Sequence, residues 1–521
     1  MTRLRYVAIA ACSAIAVALS CAAPAPAGLL KPQLIDAGTG GDAIAVGSSL
    51  APRHAWIGLL QKTAATGDQR LYAAYSTDGV FGRPFPIDRG NAVITAGLAG
   101  NDTGSAVAVW TEKVGADQVL FGRRLANGAV GQVEQISAAG QDARFDFGQA
   151  SAPFDRGTGM AMNHAGAAVL CYSDAAGNKS YAATLSPGGN AWATVEETGA
   201  CVDPQLDARG DALLGAGRDA NNKFAAFELI GGQFRSEVID PNVVPMDEFS
   251  VALGLSGTAL AMGRDNNFNT LTYSKPDVGG SAPWTNVGPI EKDLIQANAN
   301  PEDPYAALNG SGDGIVVFRD NSNANPQGYF RVVSHGTPGS GGVLDKSMSR
   351  LRPAVDAAGQ PFVAYHAGPP VSAFLSRFNA STPLAPLALA PGLEPYDAPS
   401  LTAIAVDPAG NSLDWIVHGM APTQVYAVLG DFVAPTLSPS VSPRRPRHRR
   451  SVVLLSRAAD DFASLRPSEV QWKLPRGVRA KRRTGLTIRV SFRRHGSYLI
   501  RVTATDPGGN RASRAFTVRV R

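Results

Sequence analysis

The stretch Ser400-Leu-Thr-Ala-Ile-Ala-Val406, Asp407-Pro-Ala-Gly410, Asn411-Ser-Leu-Asp-Trp-Ile-Val417 reads as two apolar strands joined by a four-residue turn. Asp at the first turn position bonds its own backbone two residues on, and Gly at the fourth takes positive φ without a Cβ clash. D-x-x-G or N-x-x-G between apolar runs is therefore a β-hairpin signal. The pattern recurs as Asn101-Asp-Thr-Gly104, Asn163-His-Ala-Gly166, Asp207-Ala-Arg-Gly210, Leu255-Ser-Gly257, Gly310-Ser-Gly312 and Asp356-Ala-Ala-Gly359, each ahead of an apolar run. Ala51-Pro-Arg-His54 is a degenerate earlier copy. A third alternating strand follows, such as Val119–Leu125 or Lys223–Leu229, and then a glycine-rich turn and a short fourth strand. The marker glycines recur at intervals of 44 (Gly166 to Gly210) to 62 residues (Gly104 to Gly166). Four strands per interval, repeated, is the mark of a propeller blade.

The composition agrees. Among 521 residues there are 56 Gly and 36 Pro, enough to supply many turns, and only 17% are charged. A hydrophobic content of 44% excludes a disordered chain, and no long apolar run suggests a multi-span membrane protein. The expected fold is all-β: a seven- or eight-bladed β-propeller over residues 28–431, followed by a small immunoglobulin-like β-sandwich. On its D-x-x-G hairpins, over about three quarters of its length, the chain resembles secreted bacterial β-propellers of the sialidase-like or WD-like kind. That resemblance implies a fold and no particular activity, because propellers host many functions.

Residues 1–27 read as an export signal. Arg3 and Arg5 precede an apolar run from Tyr6 to Leu19, and Ala25-Pro-Ala27 offers a cleavage site. The run is too short to span a bilayer, so the mature chain is expected to have no transmembrane span and to be secreted or held at the cell surface. Ala18-Leu-Ser-Cys21 is a weak relative of a lipobox, which would make Cys21 a lipid anchor. Of four cysteines, only Cys171 and Cys201 fall in the mature chain, either as one disulfide or as two buried thiols.

After Asp431 the composition changes. Residues 432–450 are rich in Pro, Ser and Arg and read as a solvated linker. Residues 451–521 then carry five to six alternating strands, the pattern of a small sandwich. Gly496–Asn510, ending in Asp506-Pro-Gly-Gly-Asn510, resembles the closing hairpin of PKD-like and bacterial immunoglobulin-like domains, with Trp472 where these carry a core tryptophan. Such modules are spacers or adhesive units on exported proteins.

The net charge of +5 conceals a strong polarity. From Arg444 onward there are 21 Arg and Lys against four acids, a balance of +17, whereas residues 28–443 hold 25 bases and 39 acids, a balance of −14. The run Arg444, Arg445, Arg447, Arg449 and Arg450 is a candidate polyanion-binding element. Expected partners are a cell-envelope or extracellular polysaccharide or other polyanion, or a surface protein, and the expected state is a monomer. The alternative role for the basic module is docking onto the acidic propeller.

No G-x-S-x-G, P-loop or H-E-x-x-H motif occurs, and the seven histidines have no metal-ligand spacing, so neither catalytic residues nor a histidine metal site are expected. Three successive repeats end their second strand in Arg-Asp: Arg218-Asp219, Arg264-Asp265 and Arg319-Asp320. With Glu112, Asp174, His366 and His418 at corresponding positions, these form a candidate sugar-binding ring, arginine being suited to a bidentate grip on carboxylates. The competing reading is local turn chemistry. No cofactor is required, although Asp320–Asn323 and Asp265–Asn267 offer oxygen ligands for calcium. The leading reading is an exported non-enzymatic binding or adhesive protein. The alternatives are a sialidase-like carbohydrate-active hydrolase and a structural spacer.

Overall fold

The computed structural model describes residues 28–38, 43–50, 56–126, 128–145, 159–197, 201, 204–244, 249–267, 269–295, 301–321, 326–346, 348–368, 372–389, 391, 400–418 and 423–521. The expected export signal with Cys21, the degenerate turn at 51–54 and half of the 320–323 calcium candidate (322 and 323) lie outside these residues. Within them the chain is all-β and propeller-like. Eight antiparallel sheets, each four or five strands wide, succeed one another between Gln33 and Gly430.

In each sheet the first long hairpin is the one legible in the sequence. The strands Val93–Gly100 and Ser105–Val114 flank Asn101–Gly104, and Ser400–Val406 and Ser412–His418 flank Asp407–Gly410. The marker glycines take the expected positive φ: +92° at Gly104, +91° at Gly210 and +100° at Gly410. The first position does the expected work too. One Oδ1 accepts the N–H groups two and four residues on at Asn101, Asp207, Asn309 and Asp407, at 2.8–3.1 Å.

The first strands of successive sheets touch in cyclic order. Ala43–Leu50 meets Val93–Gly100, which meets Met160–Met162, and the series continues through Gln205–Leu206, Ser250–Leu253, Pro301–Leu308 and Met348–Val355 to Ser400–Val406. Ser400–Val406 then meets Ala43–Leu50, closing the circle. A second device fastens it. Gln33–Asp36, at the start of the described chain, pairs with Gln424–Gly430 and fills the outermost place in the last sheet. Apolar clusters fill each seam between sheets, and Trp110, Tyr172, Tyr365 and Trp415 are packed into them, all buried.

Two sites beside these seams carry predictions. Cys171 and Cys201 stand with Cα atoms 5.8 Å apart, a disulfide spacing, at the seam of the third and fourth sheets. Closing a 30-residue loop contributes about 3–4 kcal/mol in the chain-entropy account. A non-reduced peptide map should therefore show the two peptides joined, and Cys171→Ser should lower the melting temperature.

Asp414 is buried beside Trp415, with Ser412 Oγ–H donating to Oδ2 at 3.0 Å and Oδ1 unbonded. Burial pushes its carboxyl up to about 7. The folded state keeps this proton over a pH range where the unfolded chain, titrating near 4, has released it. Its contribution is therefore greatest at low pH and is lost as pH rises toward 7, at up to about 1.4 kcal/mol per pH unit. Urea midpoints should fall between pH 5 and 7, and Asp414→Asn should flatten that slope.

Residues 432–450 do not remain a free linker. Thr436–Ser442 is an edge strand paired with Ser451–Ala459, and its alternation turns Leu437 and Val441 toward the core. Pro439 is tolerated there because an edge strand need not donate every N–H. Arg449 N–H donates to Phe492 O and His448 N–H to Arg521 O, tying the basic run to the sheets beside it. A four-stranded sheet (Thr436–Ser442, Ser451–Ala459, Thr487–Phe492, Val478–Ala480) and a three-stranded sheet (Val470–Lys473, Gly496–Thr505, Arg511–Val520) share one core. It is centred on Trp472, whose Nε1–H donates to Gly485 O at 2.8 Å.

Candidate functional sites

Two surfaces of opposite character emerge from this arrangement. At the centre of the ring, on the face of the Asx turns, lies a cavity of about 440 Å³ whose described lining comes from seven sheets. The turns around its mouth are stitched together. Asn101 Nδ2 donates to Asn163 O, Asn163 Nδ2 to Asp207 O, and Asn309 Nδ2 to Ala357 O; Ala208 N–H reaches Leu255 O, and Ser256 N–H reaches Gly310 O. The first turn position therefore serves twice, capping its own hairpin and, as Asn, tethering the next sheet. The wall mixes apolar groups (Leu206, Leu253, Leu308, Val355) with an exposed pair in which His164 Nδ1 and Asp102 Oδ1 lie 2.5 Å apart. Asp356 and Asp407 have their carboxyls raised by burial, which outweighs their backbone hydrogen bonds. Among the described residues no arginine or lysine lines the cavity.

The Arg-Asp positions sit at the other end of the second strands. Asp219 Oδ1 accepts Asn221 and Lys223 N–H, and Asp265 Oδ1 accepts Asn267 and Asn269 N–H, so both cap their own turns. Arg218 is exposed and donates to Asn222 Oδ1 at 3.4 Å. Arg319 donates to Glu302 and lies 2.9 Å from Asp303, both on its own sheet. Arg264 is buried. Equivalent in sequence, the three arginines are unequal in environment. Asp320 and His366 are buried, and His418 is half-buried with its ring 6.3 Å from that of Tyr426. Glu112, at a corresponding position, accepts Trp110 Nε1–H and Asn91 Nδ2–H, both at 2.8 Å.

The second surface is the outside of the C-terminal pair of sheets. All 21 of its arginines and lysines are exposed, Arg444, Arg445, Arg447, Arg449 and Arg450 included. Arg457, Arg479 and Arg489 project from one sheet, and Lys473, Arg501 and Arg519 from the other. Among the described residues none of the 21 forms an ion pair; every such pair falls between Asp36 and His335. The contact with the ring is built instead from Phe462 packed on Trp56 (centroids 5.2 Å apart), from Asn411 Nδ2 donating to Asp461, and from Gly508 N–H and Asn510 Nδ2 donating to Asp431. Sequence reasoning missed this junction and the stitched cavity mouth, because both join residues that are far apart in the chain.

The fold and these surfaces define an all-β, propeller-like protein. No protein-family model matches the chain, and no curated protein does. Among solved structures it is similar to a Dos1 propeller, at 10% identity over 77% of this chain and 95% of that one, with a TM-score of 0.43. It is similar to a prolyl endopeptidase at 11% identity over 79% of this chain, with a TM-score of 0.36, and spans about half (55%) of that enzyme's length. A fungal alcohol oxidase of the AA5 family, in complex with copper, aligns over 93% of this chain and all of its own (100%) at 10% identity and a TM-score of 0.35.

Proposed function

We propose that this is an exported, non-enzymatic binding protein: an eight-bladed propeller carrying an immunoglobulin-like sandwich, PKD-like in its closing hairpin, that attaches to polyanions of the cell envelope or extracellular space. The observation that carries the reading is the set of 21 exposed bases, none of them paired with a carboxylate among the described residues. A basic module made to dock on the acidic propeller would spend its arginines at that contact, and the contact uses Phe462, Asp461 and Gly508 instead. Exposed, unpaired arginines release the counterions of a polyanion on binding, which drives sequence-independent attachment. Both outer sheet faces and the 444–450 run contribute, so the partner is a flexible chain of repeated negative charge rather than a single anionic group.

The experiment is retention of the full chain on immobilised acidic polysaccharide, polyphosphate and DNA, against a neutral glucan of matched length. Retention on the acidic matrices alone is expected. Equal passage through all four columns at low salt removes the proposal.

A further inference from the structure

The basic module holds only four acids, and two of them, Asp460 and Asp506, are gathered with Asp431 at the junction. One carboxylate oxygen from each lies within 4.8 Å of those of the other two. Asp431 follows the last strand of the ring, Asp460 follows Ser451–Ala459, and Asp506 opens the turn between Gly496–Thr505 and Arg511–Val520.

Asp506 begins the same turn as Asp207 and Asp407, with Oδ1 accepting Asn510 N–H at 2.7 Å and Gly509 at a φ of +85°. In those two turns the second oxygen is satisfied: Asp207 Oδ2 accepts from Arg209, and Asp407 Oδ2 from Asn411. In Asp506, itself 5% exposed and clustered with two other carboxylates, Oδ2 is buried without a hydrogen bond; Asp460 Oδ1 is likewise buried and unbonded, whereas Asp431 accepts from Gly508 N–H and Asn510 Nδ2–H. Among the described residues no arginine or lysine pairs with any of the three, in a module with 21 to offer. A buried oxygen without a partner is costly, and three adjoining carboxylates compound the cost.

We propose that Asp431, Asp460 and Asp506 bind one calcium-class divalent cation that locks the C-terminal module to the propeller. Calcium–oxygen bonds of about 2.3–2.6 Å let one ion reach oxygens up to about 5 Å apart, so the spacing needs no rearrangement. The donors are all hard oxygens, and water and bidentate carboxylates complete the shell. Because the ligands come from both sides of the junction, the ion replaces mutual repulsion with a shared bond across it.

The test uses the full chain stripped with EDTA and titrated with CaCl2 by calorimetry and thermal melting. One calcium per chain is expected, with a Kd below about 1 mM, the range of extracellular modules. Saturation should raise the melting temperature by roughly 4 °C or more and slow proteolysis between 431 and 436. Asp506→Asn keeps its turn, since Asn101, Asn163 and Asn309 cap the same turn elsewhere. The double variant Asp460→Asn/Asp506→Asn should melt above the wild type in EDTA and gain nothing from calcium. No saturable uptake by the wild type at 5 mM calcium overturns the proposal, as does an equal gain in the variant. If the double variant fails to fold, wild-type uptake and Asp460→Asn alone decide.

Discussion

Replacing Arg444, Arg445, Arg447, Arg449 and Arg450 together with serine should flatten the salt dependence of polyanion binding and weaken it severalfold or more at 100 mM salt. Each phosphate neutralised contributes about −0.9 to the slope of log K against log salt for duplex DNA. Five lost contacts therefore remove up to about 4.5 from that slope. If the wild type engages 6–10 phosphates, its own affinity should fall roughly 10³- to 10⁵-fold between 50 and 200 mM salt. The five side chains are exposed and outside the apolar core, so the melting temperature should be unchanged and folding does not confound the result. Fluorescence anisotropy across a salt series on labelled DNA and on a sulfated polysaccharide measures both quantities. A slope near zero in the wild type, or one unaltered by the substitutions, would show that another surface carries the attachment.

The second large effect is expected at the closure of the ring. Gly58 of Trp56–Thr63 lies directly under the indole of Trp415 from the last sheet, where an added Cβ would overlap the ring atoms. Both residues are in central strands packed on both sides, so neither can retreat. Gly58→Val should abolish soluble folded protein, since overpacking costs of a few kcal/mol rise when the obstacle is a fixed ring. Trp415→Ala leaves a cavity instead and should cost about 3–5 kcal/mol, read as a drop in the urea midpoint. Trp415→Phe, which retains most of the volume, should cost less. The same core cluster contains Trp56 and Phe462, so the Trp415→Ala cavity should also loosen the C-terminal module, and proteolysis between 431 and 436 should accelerate with it. Should Gly58→Val melt like the wild type, the closure would not depend on this contact.

Much of the fold was legible because its information is local. Asp407 and Gly410 encode a turn through their own backbone chemistry, and the apolar runs beside them encode strands, so repetition alone yields a propeller-like series. The charge division was legible for the same reason, since composition needs no geometry. The Arg-Asp ring was a different kind of inference. Equal spacing predicted equal roles, whereas burial treats Arg218, Arg264 and Arg319 differently and the carboxylates of Asp219 and Asp265 turn to their own N–H groups. The reading of 432–450 as a linker failed on composition: proline and serine outweighed the alternation that places Leu437 and Val441 inside.

By itself, the sequence determined the unit of structure, its repetition, and the sign of each half's charge, because each of these rests on neighbours in the chain. Tertiary structure decided the rest. It placed Gln33–Asp36 in the last sheet, set Gly58 beneath Trp415, joined Cys171's neighbourhood to Cys201's, and brought Asp431, Asp460 and Asp506 together across 75 residues of sequence (431 to 506). Each of these contacts links segments whose separation carries no local signal, and a carboxylate reads alike on an open surface and among two others in a buried junction.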